Sequence, residues 1–179
     1  MVWSDYYKGR VGKSYVNYFM KQYSTFLQKI VDNLSFCKGI TEVGCGIGTA
    51  SICLMKQNVI NSLTLVDRCN SMLNLTYQNI QINNLNIPKL KRGYIPSYLP
   101  KTDCISHGVL EHLNKSTIKS YMLKLRKEKI SSVHYVPTNK YEYKSFGDEN
   151  LWSVDEWIDL TNPKEIALFN NDKDLVLVC

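Results

Sequence analysis

The stretch TEVGCGIGTASICL, residues 41–54, sets Gly44, Gly46 and Gly48 at alternate positions between an acidic residue, Glu42, and a run of small and apolar ones. A chain gives up side chains so densely where its backbone must turn sharply or lie against another group, because glycine enters the left-handed region without steric cost. Upstream, residues 40–43 read as a short apolar strand. Downstream, residues 49–57 read as a helix. A strand, a glycine turn and a helix in that order form the first crevice-facing loop of an open parallel sheet, where ligands lie beyond the carboxyl ends of the strands. Gly44 and Gly46 let a ligand rest on the backbone, and the helix beginning near Thr49 turns unpaired N–H groups toward it.

The pattern continues on both sides. Residues 13–34 carry Tyr15, Tyr18, Phe19, Phe26, Leu27, Ile30 and Leu34 at three- and four-residue steps, an amphipathic helix or a broken pair. SLTLV (62–66) is a second buried strand closed by Asp67, and Asn70 is placed to cap a helix whose Leu73, Tyr77 and Ile80 share a face. Residues 90–94 and 104–107 read as further strands, joined by the loop IPSYLPKTD. Ser116 is placed to cap a helix lined by Ile118, Tyr121, Met122 and Leu125, and a fifth strand, 132–136, stops at Pro137. Such alternation predicts a parallel sheet covered on both faces. The carboxyl end departs from it: Ser153 and Glu156 form a capping box, and residues 165–169 and 174–179 make a hairpin, which demands one antiparallel strand.

With 179 residues, 44 % of them hydrophobic, the chain is expected to form one domain, 1–179, with no membrane span and no signal-peptide core. A cytoplasmic protein with reduced thiols is expected, because the six cysteines form no C-x-x-C pair and several sit in apolar runs. The net charge of +6 raises the local concentration of anionic partners without naming one.

The acids around the glycine turn narrow the ligand. Asp67, ending the second strand, stands where a carboxylate accepts both ribose hydroxyls of an adenosine. A dinucleotide fingerprint needs a third glycine where this chain has Thr49, and Glu42 is poorly suited to a pyrophosphate but well suited to a sulfonium or ammonium group. A cationic amino-acid nucleoside is therefore expected, in preference to NAD.

EVGCGIGT resembles motif I of the class I S-adenosylmethionine-dependent methyltransferases, acid-x-Gly-x-Gly-x-Gly. LVDR (65–68), DCISHGVLEHL (103–113) and the terminal hairpin are similar in order to the second-strand motif, fourth strand and closing hairpin of the small-molecule-type branch, with SFGDENLWSVDEWIDL (145–160) a looser likeness on the substrate side. The likeness is to the methyltransferase domain 11/25 type and covers residues 40–179. It implies a three-layer α/β/α Rossmann-like methyltransferase fold, with a mostly parallel seven-stranded sheet and an antiparallel C-terminal strand. Residues 1–38 are then a helical lid. The implied cofactor is S-adenosylmethionine: Glu42, Gly44, Cys45 and Gly46 beside its methionine part, Asp67 on the ribose, Arg68 and Tyr94 by the adenine, and His107 and Gly108 touching it, His107 through its backbone. Gly93–Tyr94 replaces the family's frequent Gly-Asp. The Asn/Asp-Pro-Pro-aromatic signature of amino-methyltransferases is absent, which disfavours an exocyclic base amine as acceptor. A small-molecule acceptor, methylated on oxygen or nitrogen, is expected; RNA or protein acceptors, and a cofactor-binding module without catalysis, stay open.

Several residues admit two readings. Tyr7 and Arg10 either reach the cofactor carboxylate or form an aromatic staple under the first helix. His112, after Glu111, either takes a proton from the acceptor or fixes its own loop, and these two adjacent ligands with no third in view make no metal site. Trp152 and Trp157 are pocket wall or core, and His134 is a core or rim residue.

Overall fold

The computed structural model describes residues 3–60, 62–145 and 148–179; Phe146 and Gly147, inside the expected substrate-side stretch, lie outside them, as do Met1, Val2 and Asn61. Seven strands form one sheet: β1 Ile40–Val43, β2 Leu63–Asp67, β3 Lys89–Arg92, β4 Asp103–His107, β5 Ser132–Pro137, β6 Glu165–Phe169 and β7 Asp174–Val178. Their order is β3-β2-β1-β4-β5-β7-β6. The first five run parallel, and β7 lies antiparallel to both β5 and β6. The order reverses between β1 and β4, so the turn after β1 faces the crevice at the switch point.

Helices cover both faces. α2 Lys13–Gln22, α3 Ser24–Asn33, α4 Thr49–Lys56 and α5 Asn70–Ile82 bury Phe19, Phe26, Ile30, Ile52 and Ile80 against one face of the sheet. On the other, α6 Lys115–Lys127 and α7 Val154–Thr161 bury Ile118, Tyr121, Met122, Trp157 and Leu160. No helix joins β3 to β4. Ile95 fills that side of the core instead, with Tyr98 and Leu99 packed against it. The exposed edge strand β3 carries Lys89, Lys91 and Arg92, charges that discourage edge-to-edge pairing.

The broken pair is realised, since Tyr23 separates α2 from α3. The segment expected as a lid divides: α3 packs against β5 and β7, while α1 Trp3–Lys8 and α2 send side chains over the crevice. Two caps differ from expectation. Asn70 is the first residue of α5, after Cys69, and Asn114, not Ser116, caps α6 by accepting a 2.8 Å hydrogen bond from the Thr117 amide. The Ser153–Glu156 capping box forms as expected. Trp157 is core, its Nε1 donating to the Pro137 carbonyl at 3.0 Å, with Trp152 edge-on at 4.6 Å. His134 is a buried core residue whose Nδ1 pairs with Ser106 Oγ at 2.8 Å. All six cysteines are free thiols.

The face of α5 is the larger departure. Its buried residues are Met72, Thr76, Asn79 and Ile80, while Tyr77 points to solvent. Polar side chains occupy half of that face because they carry hydrogen bonds to the glycine turn.

Candidate functional site

In the turn after β1, Gly44, Gly46 and Gly48 all have φ between 56° and 71°. Their reasons for being glycine differ. A Cβ on Gly44 would stand 2.4 Å from Val109 Cγ2, and one on Gly48 would stand 2.8 Å from Thr76 Cγ2, so packing excludes a side chain at both. Gly46 has only the tip of Met72 within reach, at 3.7 Å; its bare backbone opens onto free space. The turn is held from several sides. The Gly44 and Cys45 amides donate to the Val66 carbonyl, Thr76 Oγ1 donates to the Gly46 carbonyl at 2.6 Å, and Asn79 Nδ2 donates to the Ile47 carbonyl at 2.9 Å.

Over this turn lies an open cavity. Glu42, Gly44, Cys45 and Gly46 line one part of it. Asp67, Arg68 and Tyr94 line another, with Gly93 behind them. His107 and Gly108 border it at the end of β4, and Tyr7 belongs to its wall with Trp3, Tyr15 and Phe19. Arg10 does not line the cavity: its guanidinium lies 3.6 Å from the centre of the Tyr6 ring and donates to the Tyr6 carbonyl.

Two carboxylates face this space from different ends. Glu42 is buried and its Oε2 accepts hydrogen bonds from the hydroxyl and amide of Ser51; burial pushes its pKa up to about 7 against those bonds, and Asp67 adds to the rise. Asp67 accepts from the Gly46 amide at 3.0 Å and the Cys69 amide at 2.9 Å, one on each oxygen. Its pKa is also raised, by burial first. Each of its oxygens keeps a further lone pair for a ligand hydroxyl.

Sequence reasoning missed Thr49. It opens α4, lines the cavity, and its Oγ1 is buried without a hydrogen-bond partner among the described residues. An unmatched hydroxyl beside a helix N-terminus is a natural receptor for an anionic group. The available signal was its position, directly after the third glycine. His107 contributes more than backbone: its ring stacks on Tyr135 at 4.1 Å, and burial drives its pKa down to about 3, so it stays neutral.

At the far side of the cavity, His112 touches Trp3 edge-on at 5.1 Å, and its Nδ1 lies 3.1 Å from Asp148 Oδ1. Glu111 is buried, and burial lifts its pKa to about 8, with Glu149 and Asp148 pushing the same way. The adjacent pair Glu111 and His112 does not itself form a cluster; His112 instead meets Asp148 and Glu149, with one atom of each able to ligate and all within 4.8 Å of one another.

The cavity thus gathers two carboxylates, Glu42 and Asp67, and an unpaired hydroxyl at a helix start. The molecule resembles solved structures at low identity. The PH0226 protein of Pyrococcus horikoshii superposes with a TM-score of 0.73 at 11 % identity, over 97 % of both chains. An S-adenosylmethionine-dependent methyltransferase of Clostridium acetobutylicum gives 0.68 at 12 %, over 88 % of this chain and 90 % of that one. DhpI, in complex with SAH, gives 0.65 at 11 %, over 98 % and 93 %. The chain has the class I methyltransferase fold. No protein-family model matches the sequence, and no curated protein does either. Among the described residues no helix is long and apolar enough to cross a membrane.

Proposed function

We propose that this protein is an S-adenosylmethionine-dependent methyltransferase acting on an oxygen or nitrogen atom of a small molecule. The observation that carries the reading is the convergence of Glu42, Asp67 and the bare Gly46 backbone on one cavity, in the fold described above. The cofactor supplies the electrophile, a methyl group on a sulfonium. The protein therefore needs mainly to hold and orient, and a general base is optional. In this reading Glu42 offsets the positive charge of the methionyl end, and Thr49 with the start of α4 takes its carboxylate. Asp67 accepts from the ribose hydroxyls, and Tyr94 and Arg68 flank the base. Trp3, Tyr7, Tyr15 and Phe19 form an aromatic wall over the same cavity, which excludes water and favours an acceptor small enough to fit beneath it. Residues 1–38 act as a lid through α1 and α2 only, and the chain works as a single domain.

Calorimetry with S-adenosylhomocysteine and with NAD tests the cofactor: one molecule of the first per chain and none of the second is expected. Single-turnover transfer of a labelled methyl group to a panel of phenols and amines then separates an enzyme from a silent binding module. No binding of S-adenosylhomocysteine at millimolar concentration overturns the reading.

A further inference from the structure

Two segments far apart in sequence meet at the mouth of the cavity. The turn Leu110–His112 follows β4, and residues 148–150 lie against it: the Asn150 amide donates to the Glu111 carbonyl at 2.8 Å, and Asn150 Nδ2 donates to the same oxygen at 2.9 Å. This clamp sets His112, Asp148 and Glu149 side by side, one ligating atom from each within 4.8 Å of the others. His112 also lines the cavity. A separate observation points to a missing partner. Glu111 is only 4 % exposed, and its Oε2 has no hydrogen-bond partner among the described residues.

Two carboxylates beside one imidazole, Glu149 buried and Asp148 exposed, repel one another. A divalent cation at the centre would attract each of these carboxylates more strongly than they repel one another. We propose that His112, Asp148 and Glu149 bind a divalent first-row transition cation at the acceptor end of the cavity, with the buried Glu111 carboxyl, next to His112 in the chain, in support. The mixed set selects the class of ion. Carboxylate oxygens suit Mg²⁺ and Mn²⁺, whereas an imidazole nitrogen favours Mn²⁺ and its heavier neighbours over Mg²⁺. Its place beside the acceptor rests on the methyltransferase reading; the binding of the ion does not. There the cation would hold an acceptor oxygen and ease loss of its proton.

The test uses the full chain, stripped with EDTA and titrated with Mn²⁺ while free Mn²⁺ is followed by electron paramagnetic resonance, without cofactor. One Mn²⁺ per chain is expected, with Mg²⁺ competing only at much higher concentration. His112→Ala and Glu149→Gln should each weaken Mn²⁺ at least ten-fold, and Asp148→Asn, on an exposed side chain, should weaken it while leaving the thermal melt unchanged. If the buried substitution fails to fold, Asp148→Asn decides. Absence of Mn²⁺ binding up to 1 mM in the wild type, or equal binding by wild type and Asp148→Asn, overturns the inference. Mn²⁺ binding in a chain that ignores S-adenosylhomocysteine would leave this site standing and remove the methyltransferase reading; the converse result would do the opposite.

Discussion

Replacing Glu42 by glutamine removes one titration from the cavity floor and keeps its shape. The carboxyl is buried, its Oε2 engaged by the Ser51 hydroxyl and amide, and a glutamine oxygen can accept both bonds. Burial raises the pKa from 4.5 to about 7 in the folded chain. A raised carboxyl pKa means that the folded state keeps a proton the unfolded state has released. Its contribution to stability is therefore whole below pH 4.5 and lost as the pH climbs through about 7. At about 1.4 kcal/mol for each pH unit of that interval, the loss comes to about 3 kcal/mol. Denaturant unfolding of the ligand-free wild type and of Glu42→Gln, at pH 5 and pH 8, isolates this group, because every other titration is shared by the two proteins. The glutamine variant should gain on the wild type by between about 2 and 3 kcal/mol from pH 5 to pH 8. Parallel pH profiles would refute the claim that Glu42 is desolvated in the fold. In calorimetry, the same substitution should weaken S-adenosylhomocysteine at pH 8, where the carboxylate would otherwise face the ligand's ammonium.

Four further outcomes are expected. Asp67→Ala should cost about 1–3 kcal/mol of S-adenosylhomocysteine binding by calorimetry, through loss of charge-assisted hydrogen bonds. Gly48→Ala should destabilise the chain by about 1–3 kcal/mol in denaturant unfolding, since it combines a left-handed φ with a 2.8 Å approach to Thr76. Gly46→Ala, with room for its methyl group, should act more on ligand affinity than Gly48→Ala does. Trp157→Ala should lower stability by about 3–5 kcal/mol, because it empties a fully buried site and leaves the Pro137 carbonyl without its donor.

The strands, their order of appearance and the glycine turn were legible because each is a local pattern: a short strand bounded by Ile40 and Val43 before Gly44, alternating glycines, Asp67 at the tip of β2. α5 was misread for a definite reason. Hydrophobic periodicity favours Tyr77, but Thr76 and Asn79 are the residues turned inward, where they bind the carbonyls of Gly46 and Ile47. A polar residue buried for its hydrogen bonds leaves no trace in a hydrophobic pattern. Arg10 left two readings open in the sequence, and its guanidinium lies on the aromatic ring four residues earlier, a contact the charge pattern does not encode. The meeting of His112 with Asp148 and Glu149 spans a long connection whose course no local spacing encodes.

Asn79 touches two parts of the molecule at once. Its Nδ2 holds the Ile47 carbonyl, while its Oδ1 accepts from the amide of Gly12, in the joint between α1 and α2. One amide group is thus a strut shared by the cradle and its cover, and by reciprocity whatever steadies the first must steady the second. The rate at which a protease nicks the chain between Gly9 and Gly12 then becomes a gauge of what lies on the glycine turn.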